Sequence, residues 1–295
     1  MNLDSTVAAT IGDDATRQTA GLGWRARLDL RYRFEQGRTL GDHAHEGPLR
    51  VLQALYPEGD GVCHHVLVHP PGGLVGGDVL EIQAELGAGS HAFVTTPGAT
   101  RFYRTKGPQA VQSVRVKLAA QSRLEWLPLE TIAYNGCQGE SRLNFDLASG
   151  AEVLAWEVLA LGLPQSDQPF AQGRFVQHME VDGHWLDRGV IEAQDQRLLD
   201  GPLGWAGQRC LGTLVLAAGD PLSQQRTEQA LSEARECPVP EGLWVGATLA
   251  HPHVWVLRVL GAQAEPVRAL LQEVWARWRQ SQWGIQPKPS RMWRV

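Results

Sequence analysis

The chain has 295 residues and a mass of 32.4 kDa, with 43% hydrophobic and 20% charged residues, which are values typical of globular proteins. Its net charge of −5 argues against general nucleic-acid binding, which needs a basic face. No apolar run reaches the length of about eighteen residues needed for a membrane span. The four cysteines never occur at Cys-x-x-Cys spacing, which argues against a structural zinc site and favours a reducing compartment. Because the N-terminus also lacks a signal-peptide pattern, we expect a cytoplasmic protein.

The N-terminal residues 1–22 are small and polar, so we expect a flexible tail there and a single β-rich domain over residues 23–295. Residues 24–34 alternate strictly between apolar and polar side chains. This period of two predicts a half-buried strand with four arginines on its outer face. A solvated strand face is the favoured interpretation of this basic stripe, and an acidic partner is the alternative.

Two histidines, His43 and His45, follow in a polar stretch. In a strand their side chains would lie on the same face and could share a metal ion. An exposed polar loop is the favoured interpretation.

A glycine-rich segment at residues 69–78, the first signature, reads His-Pro-Pro-Gly-Gly-Leu-Val-Gly-Gly-Asp. Proline cannot donate to a strand ladder, and glycine adopts positive φ, so the segment predicts a sharp reversal between two strands. The residues that shape it are His69, Pro70, Pro71, Gly72, Gly73 and Gly77. It lacks the Lys-Ser/Thr of a phosphate loop and ends on the carboxylate of Asp78.

A second signature at residues 95–104 also closes a strand and reads Thr-Thr-Pro-Gly-Ala-Thr-Arg-Phe-Tyr-Arg. Its turn is made by Pro97 and Gly98. The hydroxyl of Thr100 and three larger side chains follow, namely Arg101, Tyr103 and Arg104. Two ordinary turns of a β protein are the simpler interpretation of either signature alone.

Similar turn segments recur about 30 residues apart, beginning at Leu86, Leu118 and Leu147. Each lies between an alternating run and an apolar run, which indicates coils of sheet stacked on one another. We therefore predict a mainly β fold, a helical stack of β-strands (β-solenoid-like sheets), with two α-helices in the C-terminal part. A meander of hairpins remains an alternative.

Two carboxylates stand out between these repeats. Glu130 lies beside an apolar Leu-Pro-Leu segment, and Glu157 interrupts the apolar run at residues 153–161. A carboxylate in a strand buried on both faces costs several kcal/mol unless it is paired, hydrated or metal-bound. An ion pair with a buried arginine is the alternative to a functional role.

The C-terminal half combines strands with helices. A hairpin is predicted around Asp182-Gly183, helices over residues 221–236 and 266–283, and strands on either side of His251-Pro252-His253. His251 and His253 are a weak metal candidate, and a turn is the favoured interpretation. No catalytic motif such as Gly-x-Ser-x-Gly, His-Glu-x-x-His or a dinucleotide fingerprint is found.

The two signatures together, in this order, resemble those of the urease accessory protein UreD (UreH) family. The resemblance continues in residues 124–128, 156–157, 187–188 and 289–293, and spans about residues 24–295. It implies a non-enzymatic scaffold that binds apo-urease on one side and the UreF–UreG assembly on the other. UreG is the nickel-carrying GTPase of that family, and a homodimer formed through the UreF assembly is an open alternative.

The resemblance also implies an internal passage along which nickel reaches urease, with no permanently bound cofactor. The residues carried over to that passage are Asp78, Thr100, Glu130, Glu157 and Asp187, with Arg188 as a motif residue. The tryptophan-rich C-terminus is expected to contact UreF, through Trp283, Arg291 and Trp293. Oxygen ligands fit a passage because each site must hold Ni²⁺ weakly enough to release it.

Two other functions remain open on sequence grounds. A β-helical carbohydrate-active enzyme would use two of the four carboxylates of Asp78, Glu130, Glu157 and Asp187 as acid and base, about 5–9 Å apart. A plain adaptor would have no passage, and its carboxylates would form structural ion pairs.

Overall fold

Strands dominate the architecture, in a computed structural model that describes residues 23–294. The predicted tail, residues 1–22, lies outside the described residues. The strands in chain order are β1 (Arg25–Glu35), β2 (Arg38–Glu46), β3 (Arg50–Val51), β4 (Cys63–Val68), β5 (Val79–Leu86), β6 (His91–Thr95), β7 (Thr100–Phe102), β8 (Ala110–Leu118), β9 (Arg123–Trp126), β10 (Thr131–Ala133), β11 (Gln138–Leu147), β12 (Glu152–Leu163), β13 (Gln168–Pro169), β14 (Arg174–Val181), β15 (Trp185–Glu192), β16 (Cys210–Ala218), β17 (Trp244–His251) and β18 (Val254–Gly261). The α-helices are α1 (Gln196–Asp200), α2 (Gln224–Arg235) and α3 (Ala264–Trp283), and two short 3₁₀ helices cover Pro164–Ser166 and Arg291–Arg294.

Two large sheets face each other. The seven-stranded sheet has the order β15-β14-β11-β8-β5-β1-β2, and the main path of the eleven-stranded sheet is β17-β18-β16-β12-β9-β6-β4-β3. Strands β5, β8, β11 and β14 pair in parallel in the first sheet, and β4, β6, β9 and β12 do so in the second. Successive turns of the chain therefore add one strand to each sheet, which confirms the predicted solenoid-like stack.

The sequence repeat coincides with this stacking. Leu86 is the register partner of Leu118, and Leu118 is the register partner of Leu147. Positions about 30 residues apart therefore lie side by side and point to the same face. All three leucines contribute to the interior packing between the sheets.

The first strand confirms the alternation read from the sequence, since Ala26, Leu28, Leu30 and Tyr32 of β1 are buried. The loop predicted around His43 and His45 is wrong, because these residues lie in β2, which pairs antiparallel with β1. Their polar side chains are exposed on this edge strand. Backbone pairing with β1, and not a hydrophobic pattern, determines the conformation.

The C-terminal predictions are confirmed for the hairpin β14–β15, the strands β17 and β18, and the helices α2 and α3. α3 begins two residues before Pro266, which the first helical turn tolerates because its N–H groups have no helical partner. It ends at Trp283 and is capped by Gly284, whose φ of 67° is the left-handed conformation that favours glycine. The five-residue α1 was not predicted.

Apolar side chains pack in two layers. One lies between the two sheets, and the other lies between the eleven-stranded sheet and helices α2 and α3. Over residues 23–294, none of the helices has the length and apolarity required to cross a membrane.

Helix α3 is fixed to the sheet by a buried charge. Arg279, with 0% exposure, contacts Glu125 Oε1 through Nε at 3.0 Å and Glu58 Oε2 through Nη2 at 2.7 Å. Trp275 Nε1–H donates to Glu125 Oε2 at 2.7 Å, and His91 Nε2 lies 2.9 Å from Glu125 Oε1. Removing the guanidinium leaves two carboxylates buried without their cation.

We therefore expect Arg279→Met to lower the free energy of unfolding by about 3–5 kcal/mol, because it breaks a buried ion pair. The control is Arg277→Met on the same helix, which removes a solvent-exposed pair with Glu273 and should cost less than about 0.5 kcal/mol. Urea denaturation of both variants measures the difference. Equal losses would contradict the role assigned to the buried pair.

Candidate functional site

The first signature is anchored by its terminal carboxylate. Asp78, 6% exposed, accepts the Trp24 N–H on Oδ1 at 2.9 Å and the Val75 N–H on Oδ2 at 2.8 Å. Both oxygens are thus engaged with backbone amides, which tie the loop to the start of β1. This structural role differs from the passage role that the resemblance implied.

The second signature lies directly against the first. The Leu74 N–H donates to the Arg101 carbonyl at 2.7 Å, and the Tyr103 N–H donates to the Leu74 carbonyl at 2.8 Å. A Cβ at Gly73 would come within 2.4 Å of the Tyr103 ring, so this close approach requires glycine. The two signatures, which follow one another in the chain, are therefore in direct contact in the fold.

Both signatures line one cavity of about 220 Å³, here called the signature cavity. The first signature contributes His69, Pro70, Gly72 and Gly73, and the second contributes residues 96–101. The remaining walls are apolar apart from Gln112, and include Leu80, Ile82 and Trp126.

A smaller cavity, of about 20 Å³, adjoins the signature cavity and shares the lining residues Thr100, Gln112, Trp126 and Pro128 with it. It extends to Ser141 and Glu157. Its volume is sufficient for about one water molecule.

Polar residues continue this line across the space between the sheets. Gln112, Ser141 and Gln177 are register partners in the seven-stranded sheet, and Glu157, Thr213 and Arg258 are register partners in the other. Ser141 Oγ donates to Glu157 Oε1 at 2.6 Å and joins the two rows. We call these six residues, with Asp187, the polar layer.

Glu157 is the central group of this layer and is half-buried. Burial raises its carboxyl pKa to about 7, and the charge of Asp187 acts in the same direction, while the hydrogen bond from Ser141 opposes them. Its partner is a hydroxyl and not a cation, so the expected alternative, an ion pair with a buried arginine, is wrong for this residue.

The far end of the layer is closed by an ion pair between Asp187 and Arg258. Asp187 reaches it from the edge strand β15 and Arg258 from β18, the second strand of the other sheet, so the pair bridges the two sheets. Both side chains keep contact with solvent, and the neighbouring Arg188 is exposed.

Glu130 lies outside the layer. Its Oε2 accepts from Arg268 Nη1 of α3 at 2.7 Å, and its backbone carbonyl accepts the Thr100 N–H at 2.9 Å. The structure thus brings Thr100, Glu157 and Asp187 onto one line and separates Asp78 and Glu130 from it.

The C-terminal tryptophans pack inside the chain. Trp283 and Trp293 are each 7% exposed. Trp293 Nε1–H donates to Thr95 Oγ1 at 3.0 Å, and its ring centroid lies 5.7 Å from that of Phe93. Both rings are buried within this chain, whereas Arg291 is exposed, and contact of this C-terminal segment with a partner stays a prediction.

Histidines come together in one place that the sequence did not indicate. His184, from the β14–β15 turn, stacks on His253 at 3.9 Å between ring centroids, and His251 is 5.3 Å from His184. Within residues 23–294, however, no three His, Cys, Asp or Glu side chains are arranged to hold a metal ion. The structure gives no support to metal sites at His43/His45 or at His251/His253.

Sequence reasoning missed most of the polar layer. Gln112, Ser141 and Gln177 each occupy an inward position of an otherwise apolar alternation. A signal was present for Gln112 and Ser141, which lie 29 residues apart (141 − 112) and match the repeat. Gln177 lies 36 residues beyond Ser141 (177 − 141) and does not match it. Arg258 on β18 lies beyond the parallel coils, so the repeat could not indicate it.

The raised pKa of Glu157 gives a pH-dependent stability. Its folded pKa of about 7 exceeds the usual 4.5, so the folded state holds the proton more tightly. The stabilisation is therefore fully present below about pH 4.5 and is lost as pH rises through 7.

We expect Glu157→Gln to remove this loss, so that the variant becomes more stable relative to the parent protein between pH 5 and pH 8. The two pKa values set an upper limit of about 3 kcal/mol, which residual hydration of the half-buried carboxyl reduces. Urea denaturation at several pH values measures the difference. A pH-independent difference between the two proteins would contradict the raised pKa.

Comparison with known proteins agrees with the resemblance carried by the two signatures. Residues 24–294 match the family model described as UreD urease accessory protein. The proteins named urease accessory protein UreD from Paracidovorax citrulli and Albidiferax ferrireducens are each 55% identical over 272 residues, covering 92% of this chain and 99% of the relative. That of Variovorax paradoxus is 50% identical over 274 residues, with the same coverage. The chain therefore belongs to the UreD family of urease accessory proteins, which is a family of accessory proteins and not of catalytic enzymes.

Proposed function

We propose that this chain is a cytoplasmic scaffold of urease maturation that binds apo-urease and the UreF–UreG complex and conducts nickel between them. Nickel is the cargo, and no cofactor is permanently bound. The observation that carries the proposal is the polar layer, which leads from the signature cavity through an otherwise apolar interior to Asp187.

The chemistry of the layer fits a cation that has to move on. The potential ligands are oxygens of Ser141, Glu157 and Asp187 in the layer and of Thr100 in the adjoining cavities, and neither thiolate nor imidazole is among them. Nitrogen and sulfur ligands hold Ni²⁺ more firmly than isolated oxygens do. A site built from single oxygens therefore favours exchange over storage.

Passage requires two local movements. The cavity beside Glu157 accommodates one water molecule, so the side chains of Gln112 and Gln177 have to shift for a cation to enter. At the far end, the Asp187 carboxylate is already paired with the Arg258 guanidinium. An arriving cation competes with the guanidinium for this carboxylate, so the ion pair acts as a closed exit that cargo or a docked partner opens.

A plain adaptor without a passage is the second candidate function. The ion pairs Glu130–Arg268 and Asp187–Arg258 favour it, because paired carboxylates serve to hold elements together. Glu157 distinguishes the two functions. Its hydrogen-bond partner is a hydroxyl, whereas a buried carboxylate with a purely structural role would be paired with a cationic side chain.

The test is nickel transfer by Glu157→Gln, which keeps the shape of the side chain and its contact with Ser141 but removes the charge. We expect complexes with apo-urease and with UreF–UreG to form at normal yield and the nickel content of matured urease to fall severalfold. Co-purification and metal analysis of the same preparations measure the two quantities.

Two matched controls accompany it. Glu85→Gln neutralises an exposed carboxylate on the outer face of β5, and Glu130→Gln neutralises a half-buried carboxylate outside the layer. Both should leave the nickel content unchanged. Normal nickel content with Glu157→Gln would exclude transit through the layer and leave the adaptor function.

The exposed C-terminal arginine provides a separate test of docking. We expect Arg291→Glu to reduce co-purification of UreF, since Arg291 is exposed beside the buried Trp293 and charge reversal at a contact costs affinity. Arg235→Glu, on the last turn of α2, is the control at an exposed arginine elsewhere. Unchanged UreF recovery with Arg291→Glu would place the UreF surface away from the C-terminus.

A further inference from the structure

The charges around the signature cavity differ from those of a cation site. Its lining includes Arg101 and His69, and it contains no Asp or Glu. Among residues 23–294, Arg101 forms no ion pair with a carboxylate, although it is half-buried. A half-buried guanidinium beside an apolar cavity is less hydrated than one on the open surface, which favours a negative partner.

The carboxylate nearest to the histidine cannot supply that partner. Asp78 influences His69 electrostatically, but both Asp78 oxygens are occupied by the backbone amides of Trp24 and Val75. Glu130, next to the second signature, is occupied by Arg268. Neither of these two carboxylates therefore neutralises Arg101, which lines the cavity.

Neutral hydroxyl groups belong to the same cavity lining. Thr100 lines the cavity and, within the part of the chain that the structure describes, its hydroxyl makes no hydrogen bond. The Thr96 hydroxyl, by contrast, already donates to the Gly98 carbonyl at 3.0 Å and accepts the Leu129 N–H at 2.9 Å. The guanidinium Nη1 lies 3.8 Å from where a Cβ of Gly72 would stand, so the Arg101 side chain reaches the loop of the first signature.

We propose that the signature cavity binds a small planar oxyanion of the carboxylate class, held by Arg101 and the Thr100 hydroxyl with His69 at the rim. A guanidinium matches the two oxygens of a planar carboxylate through parallel N–H donors. The apolar walls accommodate a short hydrocarbon portion and lower the local dielectric, which strengthens the charge interaction. A hydrated divalent cation is disfavoured at the same place because Arg101 repels it.

This site goes beyond nickel transit and does not depend on it. Anion binding requires Arg101 and the cavity, whereas transit requires Glu157 and the polar layer, and Thr100 is the residue that both would use. Arg101→Gln tests the first and Glu157→Gln the second, so the failure of one proposal leaves the other standing.

The experiment uses the full chain and acetate as the probe, observed through its methyl protons by saturation-transfer NMR in chloride-free buffer at constant ionic strength. We expect saturable acetate binding that sodium hydrogencarbonate displaces. The neutral analogue acetamide should give no saturable signal, because the guanidinium recognises charge.

We expect Arg101→Gln to weaken acetate binding about tenfold or more, the effect of losing a charge-assisted hydrogen bond. Arg104→Gln, an exposed arginine of the same signature outside the cavity lining, should bind acetate normally. Arg101→Lys, which retains the charge without the planar fork, should be intermediate, and it supplies the comparison if the glutamine variant unfolds. Absence of saturable acetate binding, equal binding by Arg101→Gln, or equal binding of acetamide would each overturn the proposal.

Discussion

Backbone pairing between successive coils is the constraint on which the rest of this molecule depends. Each parallel strand is held in register with the next, so that Leu86, Leu118 and Leu147 stack side by side. The same register places Gln112 beside Ser141 and Ser141 beside Gln177. A shift by one residue would turn these side chains to the opposite face, and the polar layer and the adjoining cavities would be lost together.

The register fixes the position of the polar layer between the sheets, and burying these polar groups costs free energy of desolvation. A row of leucines or valines would fill the space between the sheets with less desolvation, because each buried polar group requires a partner. Instead, the chain satisfies Glu157 with Ser141 from the facing sheet. The polar residues are confined to one row, and the rows on either side are apolar. This arrangement differs from polar substitutions scattered through a core, because it forms a continuous line of potential ligands.

The sequence was sufficient where local periodicity determines the structure. Alternation predicted β1, the 30-residue repeat predicted the stacked coils, and the 3–4 spacing of apolar residues predicted α3. It was insufficient where contacts between distant segments decide. β2 has no apolar pattern and forms because β1 pairs with it, and Trp293 is buried because a pocket beside Thr95 and Phe93 receives it. Likewise, nothing local shows that Asp78 is occupied by backbone amides while Glu157 is not.

The charges at the two ends of the layer bear on the nickel transit proposed for it. A bare divalent cation approaching from the signature cavity meets the uncompensated charge of Arg101, and at the far end it meets Arg258 already bound to Asp187. Between them, Glu157 has its pKa raised to about 7 and so carries only part of a negative charge near neutrality. A free cation therefore gains little by entering alone. Under the proposed nickel transit, an oxyanion in the cavity, or a carboxylate brought by a docked partner, would neutralise Arg101 and allow the cation to enter as a neutralised pair.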